Sequence, residues 1–246
     1  MIPYERQRKI LEYANAHDLV LLEDLLDLIP DASESTLRRD IKALEEARQV
    51  ERLSGGAIKA HANTSELPSV TKATLFTKEK ARIAKLAARE IKRDETIYID
   101  SGSTCTALLR EALDMDVCIV TTNTDAIRTV SQPTRAKIVI AGGSYNPQIA
   151  SLFGPLAEES LRRYIFDKAF LGANGVDLKF GITTPRIEES AKKRVVAEQS
   201  KRIFVLVDSS KFHRVANTRC IALEDTAIIS DSNDEHIAKR TTLIWQ

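Results

Sequence analysis

No apolar run in this chain approaches the roughly 20 residues needed to cross a bilayer, which argues against a membrane-spanning helix. Cysteine is scarce. Cys105, Cys118 and Cys220 are an odd number without the close Cys or His spacing of a structural zinc site, and they read as core-filling thiols. Neither sign of charge dominates: 36 Lys and Arg against 35 Asp and Glu leave a formal net charge of +1. Without a global basic field, any nucleic-acid contact has to come from a local arrangement of cations. The start, Met1-Ile2-Pro3-Tyr4-Glu5-Arg6, lacks the basic segment, apolar core and small-residue cleavage site of an export signal, so a cytoplasmic location is expected. His17, His61, His213 and His236 are scattered and none accompanies an evident nucleophile or carboxylate motif. No catalytic residue, metal site or cofactor is expected from them. What is present, 43% hydrophobic and 29% charged residues over a length of 246, suits a globular chain of one large domain or of a small and a medium one.

The first sixty residues show helical spacing at once, with Ile10, Leu11 and Ala14 on one face and charges on the other. A short apolar helix fits 22–29, closed by Pro30-Asp31-Ala32, and Ser33 is a suitable N-cap for a third helix over 34–47. In that third helix Leu37, Ile41 and Leu44 recur at i, i+4 and i+7 and must face a core. Ser35, Arg38, Arg39 and Lys42 fall on the opposite side, where cations can pair with phosphates or guanine edges and Ser35 and Thr36 can donate to phosphate. Residues 50–53 and 57–59 flank Ser54-Gly55-Gly56, whose glycines permit a tight hairpin. Three helices and a hairpin make a winged helix-turn-helix; a small helical subdomain with a solvated basic face fits the spacing equally well.

Residues 61–76 are polar and aperiodic, as a connection between domains should be. The boundaries expected are 1–60, a linker 61–76, and a second domain 77–246. A helix fits 80–91, with Ile83, Leu86, Ala87 and Ile91 inward. Short β-rich runs then alternate with helical stretches, at 96–99, 118–121, 137–141, 168–171, 203–207 and 227–229. The alternation predicts an α/β domain with a mainly parallel sheet covered by helices. Ligands in such sheets sit beyond the carboxyl ends of the strands. After the first run comes Asp100-Ser101-Gly102-Ser103-Thr104 entering a helix, a candidate phosphate cradle. The other runs end in Thr121-Thr122-Asn123, in Gly142-Gly143, in Gly172-Ala173-Asn174-Gly175-Val176-Asp177 and in Asp208-Ser209-Ser210-Lys211. Each loop alone fits ordinary turn and cap chemistry, but five at one end favour a shared mouth. There Lys211 can supply a point charge to phosphate. No Gly-x-Gly-x-x-Gly follows the first run, which counts against a dinucleotide.

The segment from Ser33 to Ile41, followed by Leu44-Glu45-Glu46 and then Arg52-Leu53-Ser54-Gly55-Gly56-Ala57, closely resembles the DNA-binding segment of the DeoR family of bacterial regulators. The resemblance implies a recognition helix over 35–42 and a wing over 52–57. It brings Arg52, Gly55 and Gly56 into the DNA-binding set with Ser33, Ser35, Thr36, Arg38, Arg39 and Lys42. Two departures, a longer turn at 29–32 and no glycine in Ala47-Arg48-Gln49, leave the operator sequence open. The second domain is similar to the family's sensor domain, which resembles ribose-5-phosphate isomerase and generally takes phosphorylated sugars. Carried over, the resemblance gives an effector set of Asp100, Gly102, Ser103, Thr104, Asn123, Gly142, Gly143, Asn174, Asp208 and Lys211. The family also places an acid and a lysine four residues apart before the last major strand. Glu189 and Lys193 fit that place, and fit a plain i,i+4 surface ion pair as well.

The implied function is a DNA-binding regulator, expected to repress an operon of sugar or related carbon metabolism and to be modulated by a phosphorylated sugar. Its expected partners are double-stranded operator DNA, that effector, and further copies of itself as a dimer or tetramer. The rival is a sugar-phosphate isomerase or deaminase, with Asp100 or Asp177 as base, because a fold does not fix a function.

Overall fold

The computed structural model describes residues 3–17, 19–46, 49–53, 56–60, 69–130 and 132–246. The chain divides into two units, residues 1–67 and 68–246. The first contains α1 (Pro3–Ala16), α2 (Leu22–Leu28), α3 (Glu34–Glu46) and the antiparallel strands β1 (Val50–Arg52) and β2 (Ile58–Ala60), with Val50 opposite Ala60 and Arg52 opposite Ile58. Its core is built from Ile10, Ala14, Val20, Leu25, Ile29, Leu37, Ile41, Leu44, Val50 and Ile58. Those residues include the inward positions that the helical spacing predicts except Leu11, which is partly buried against the core. Ser33 caps α3, its Oγ accepting from the Thr36 N–H at 3.3 Å. Three helices and a two-stranded wing make the unit a winged helix-turn-helix.

The second unit opens with α4 (Ser69–Thr74) and α5 (Thr77–Arg89). It continues with β3 (Thr96–Ile99), α6 (Ser103–Ala112), β4 (Cys118–Thr121), α7 (Asp125–Thr129), β5 (Lys137–Ile140), β6 (Ser144–Asn146) and β7 (Ser151–Phe153). Then follow α8 (Pro155–Arg162), β8 (Lys168–Gly172), β9 (Gly175–Asp177), β10 (Gly181–Thr184), α9 (Ile187–Glu198) and β11 (Ile203–Leu206). Last come β12 (Thr218–Ile221), β13 (Ala227–Ile229), α10 (Glu235–Ala238) and β14 (Thr242–Ile244). Seven strands form one parallel sheet in the order β14-β13-β11-β8-β3-β4-β5.

The strands read as apolar runs because both faces of the sheet are covered. Ile97, Ile99, Phe170 and Phe204 pack on one side with Ile83, Leu108 and Leu109 of α5 and α6. On the other side Tyr98, Leu171 and Val205 pack with Leu161, Val195 and Val196 of α8 and α9. All six strands expected from the sequence are present. The sequence reading missed β14, the antiparallel β6–β7 hairpin and the antiparallel sheet β12-β10-β9. Their strands are three or four residues long and several, such as Ser144–Asn146 and Gly175–Asp177, hold a single large apolar side chain, so no run marks them. The expected linker also needs correction in its second half. The Ser69 N–H donates to Gln148 O at 2.7 Å, and Lys80 Nζ donates to the carbonyls of Lys72 and Leu75, so α4 is fastened to the second unit. Residues 61–68 lie outside the described ones.

Candidate DNA-binding face and effector site

On α3 the inner face buries Leu37, Asp40, Ile41 and Leu44, while Ser35, Arg38, Arg39 and Lys42 are exposed on the outer one. A buried acid belongs there only with a partner: Asp40 accepts from Arg6 Nε at 2.7 Å and from Gln7 Nε2 at 3.2 Å. Outside, Arg38 pairs with Glu34, Lys42 approaches Glu46 at 3.9 Å, and Arg52 of β1 approaches Glu45 at 3.2 Å. The Ser33 hydroxyl meets those of Ser35 and Thr36 at 3.0 and 2.9 Å, which puts a group of hydroxyls at the start of the helix. Gly56 has φ +81°, a conformation that glycine adopts without strain. Gly55 and Ser54 lie outside the described residues.

The parallel sheet reverses its strand order between β3 and β8: β4 and β5 lie on one side of β3, and β8, β11, β13 and β14 on the other. Such a reversal leaves a crevice beyond the carboxyl ends of the strands. Asp100, immediately after β3, is fully buried there. Its carboxylate pairs with Lys193, accepts from the Tyr98 hydroxyl at 3.2 Å and from the Gly172 N–H at 3.3 Å, and lies 3.7 Å from Lys192 Nζ. Lys192, also fully buried, donates to Ser151 Oγ at 2.7 Å and to both oxygens of Glu189 at 2.9 and 3.1 Å. Ser101 Oγ closes the network, donating to Ser151 Oγ at 2.7 Å. Two acids and two lysines therefore neutralise one another inside the protein. Burial raises the Asp100 pKa, but the Lys193 and Lys192 cations outweigh it and hold it below its ordinary value. Burial likewise opposes the Lys193 charge, and the carboxylates of Asp100 and Glu189 override it, raising the amine.

The structure thus joins Asp100, Glu189 and Lys193 in one cluster, but it does not pair Glu189 with Lys193 as a surface bridge. Lys192, one position earlier, takes Glu189, and Lys193 reaches Asp100. Gly102 precedes α6 with φ +104° and open space around its Cα, and its carbonyl accepts from the Thr106 N–H and hydroxyl. Ser103 and Thr104 are half-buried in the first turn of α6, and their hydroxyls make no hydrogen bond with other described residues. Asn123 is committed internally, its amide donating to Thr106 Oγ1 at 2.7 Å and its oxygen accepting from the Asp125 N–H at 3.0 Å. Gly142 is exposed at the end of β5. Gly143 is there for packing, since a Cβ would stand 2.7 Å from Phe153 O and 2.9 Å from Ala157 Cβ. Asn174 is bonded to β10, its N–H donating to Thr183 O and its side-chain oxygen accepting from Thr184 Oγ1. Asp208 caps the short 3-10 turn Ser209–Lys211, accepting from the Ser210 N–H at 3.2 Å, and Lys211 sits half-buried in that turn.

Sequence reasoning missed Lys192, Ser151 and Lys80. Lys192 had a signal, because Glu189 has lysines at both i+3 and i+4 and either spacing pairs on a helix. Ser151 had none. Lys80 is buried and electrostatically coupled to Asp208 and Lys211. It borders a cleft of about 610 Å³ that it shares with Ser103, Thr106, Arg110 and Arg128. Burial lowers its amine to about 8, against the opposing charge of Asp208. Among the described residues no group of three His, Cys, Asp or Glu is placed to hold a metal ion, and no helix is long and apolar enough to cross a membrane.

Comparison with known proteins matches residues 6–63 to the DeoR-like helix-turn-helix domain and residues 76–232 to the DeoR C terminal sensor domain. FruR of Bacillus subtilis (strain 168), an uncharacterized HTH-type transcriptional regulator, is 31% identical over 96% of this chain and 93% of its own length. A putative aga operon transcriptional repressor of Escherichia coli O157:H7 is 31% identical over 93% of this chain and 88% of its own. Among solved structures, ribose 5-phosphate isomerase A of Methanocaldococcus jannaschii aligns with 54% of this chain and 53% of its own, at 22% identity and a TM-score of 0.40. With a winged helix-turn-helix and a sensor domain each matched along their length, and relatives that span nearly all of it, this chain belongs to the DeoR family and is a transcriptional regulator, not an enzyme.

Proposed function

We propose that the chain represses genes of sugar or related carbon metabolism and is released from, or modulated at, its operator by a phosphorylated sugar. The observation that carries the effector half is the uncommitted hydroxyl of Ser103, at the start of α6, which borders the same cleft as the Lys80 side chain. A dianionic phosphate is satisfied by such a set: backbone N–H groups at a helix start, hydroxyl donors, and cations from Lys80 and Lys211. The buried cluster around Asp100, its acids and lysines already paired, stands at the switch point of the sheet just before this helix start. The DNA half is supported by the exposed face of Ser35, Arg38, Arg39 and Lys42, with Arg52 on the wing. Two such faces in a dimer or tetramer address repeated half-sites about one helical turn, or a multiple of it, apart. Repression is the sign that the relative named for the aga operon suggests. The cytoplasm, where operator DNA is reached, is the proposed location.

The test is a thermal-shift panel of sugar phosphates alongside the same sugars without phosphate. A true effector at 100 times its Kd adds about 2.7 kcal/mol to native stability, and its unphosphorylated sugar adds nothing. A panel in which no phosphorylated sugar shifts the second unit, or in which plain sugars act as strongly, overturns the effector assignment.

A further inference from the structure

Adjacent arginines on the outer face of α3 stand in opposite electrostatic surroundings. Arg38 Nε donates to Glu34 Oε1 at 2.8 Å, and its Nη2 lies 2.7 Å from the same oxygen. Both groups are more than half exposed, so the pair adds little to stability. Its effect is geometric. A guanidinium is a planar fork of five N–H donors; with the edge formed by Nε and Nη2 engaged, the end edge formed by Nη1 and Nη2 stays open and fixed in direction. Two parallel N–H groups on such an edge match the N7 and O6 acceptors of guanine in the major groove. The Glu34 carboxylate also repels phosphate, which disfavours the backbone as an alternative partner for this arginine. Arg39 is exposed and makes no ion pair with any other described residue, so its charge is uncompensated.

We propose that Glu34 is a specificity-determining positioning residue: it holds Arg38 edge-on for a guanine and keeps it off phosphate, while Arg39 takes the phosphate contact. This division of roles rests on the DNA-binding reading of the first unit. Arg38 contributes base discrimination and little counterion release, because its charge is already matched, and Arg39 contributes the reverse. The two neighbours are separable by experiment for that reason.

The test uses the full chain with a pool of random-sequence duplex DNA, from which each protein selects its sites, followed by affinity measurements over a salt series. Wild type is expected to enrich a site with a strongly preferred G·C pair. Glu34→Gln is expected to bind random DNA several-fold more tightly, having lost a negative charge near the backbone, yet to lose about tenfold discrimination at that one pair. Arg38→Lys keeps the charge and loses the same discrimination. Arg39→Ala keeps the base preference, weakens all sequences alike and lowers the salt slope by about 1. A Glu34→Gln protein with the wild-type guanine preference, or an Arg39→Ala protein that loses it, overturns the proposal. A wild-type chain that enriches no sequence overturns the DNA-binding reading itself, and this inference with it.

Discussion

Arg6 Nε lies 2.7 Å from Asp40 Oδ2 and joins α1 to the inner face of α3, one residue along the helix from the outward-facing Arg39. The pair fixes how α3 is rotated, because Asp40 must point inward to meet it. Asp40→Ala leaves the largely buried Arg6 guanidinium without this partner and is expected to destabilise the first unit by about 3–5 kcal/mol. Hydrogen exchange reads the result: protection is lost in α1 to α3 and kept in β3 to β13, and DNA affinity falls with it.

Lys192 is the hub of the buried cluster, with Ser151 and both oxygens of Glu189 as its acceptors. Lys192→Met strands Glu189 in the interior and is expected to cost about 3–5 kcal/mol in the second unit. Adding Glu189→Gln should recover part of that loss, giving a coupling of roughly 0.5–3 kcal/mol in a double-mutant cycle by urea unfolding. Strictly additive losses would mean that the two side chains do not support each other.

Acid should weaken the same cluster in a defined direction. Asp100 is held below its ordinary value of 3.8, so its stabilisation is complete above that value and is lost as pH falls through the lowered one. Lys193, raised above 10.5, stabilises below that value and loses its effect only as pH rises through its higher one. The pair is therefore charged across the neutral range. Asp100→Asn is expected to be less stable than wild type at neutral pH, and to lose less further stability as pH falls below about 4, as read by urea midpoints.

A different pH window belongs to Lys80. Burial brings its amine to about 8, whereas a phosphate monoester stays dianionic above its second pKa of about 6. Affinity for a sugar phosphate is expected to fall as pH rises through about 8, when the lysine loses its charge. Lys80→Met should bind more weakly at pH 7 and show no such fall; calorimetric titration at several pH values checks both.

The fold was legible where burial leaves a local mark. Leu37, Ile41 and Leu44 repeat with the helix period, and strands sandwiched between two helical layers, such as Lys168–Gly172, appear as uninterrupted apolar runs. The site was legible only in part. Asp100 stood out because it follows the first such run, and Glu189 with Lys193 because of their helical spacing. Which lysine met which acid depended on tertiary geometry, since α9 buries Glu189, Lys192 and Lys193 together. Asn123 and Gly143 carry the residue types of a ligand loop, but their polar groups or their small size serve the turn and the packing beside them. Ser151 and α4 carry no local pattern, and their places follow from partners far along the chain.

The switch point between β3 and β8 also has a temporal side. Asp100 finds Gly172 at a separation of 72 residues and Lys193 at 93, so its bonds form only after long loops have closed. Until those loops close these charges are expected to stay hydrated, and the buried cluster is expected to assemble late. Substitutions there should accordingly hasten unfolding and leave the folding rate nearly unchanged, so the sensor's lifetime as a native molecule, more than its speed of maturation, depends on four buried charges.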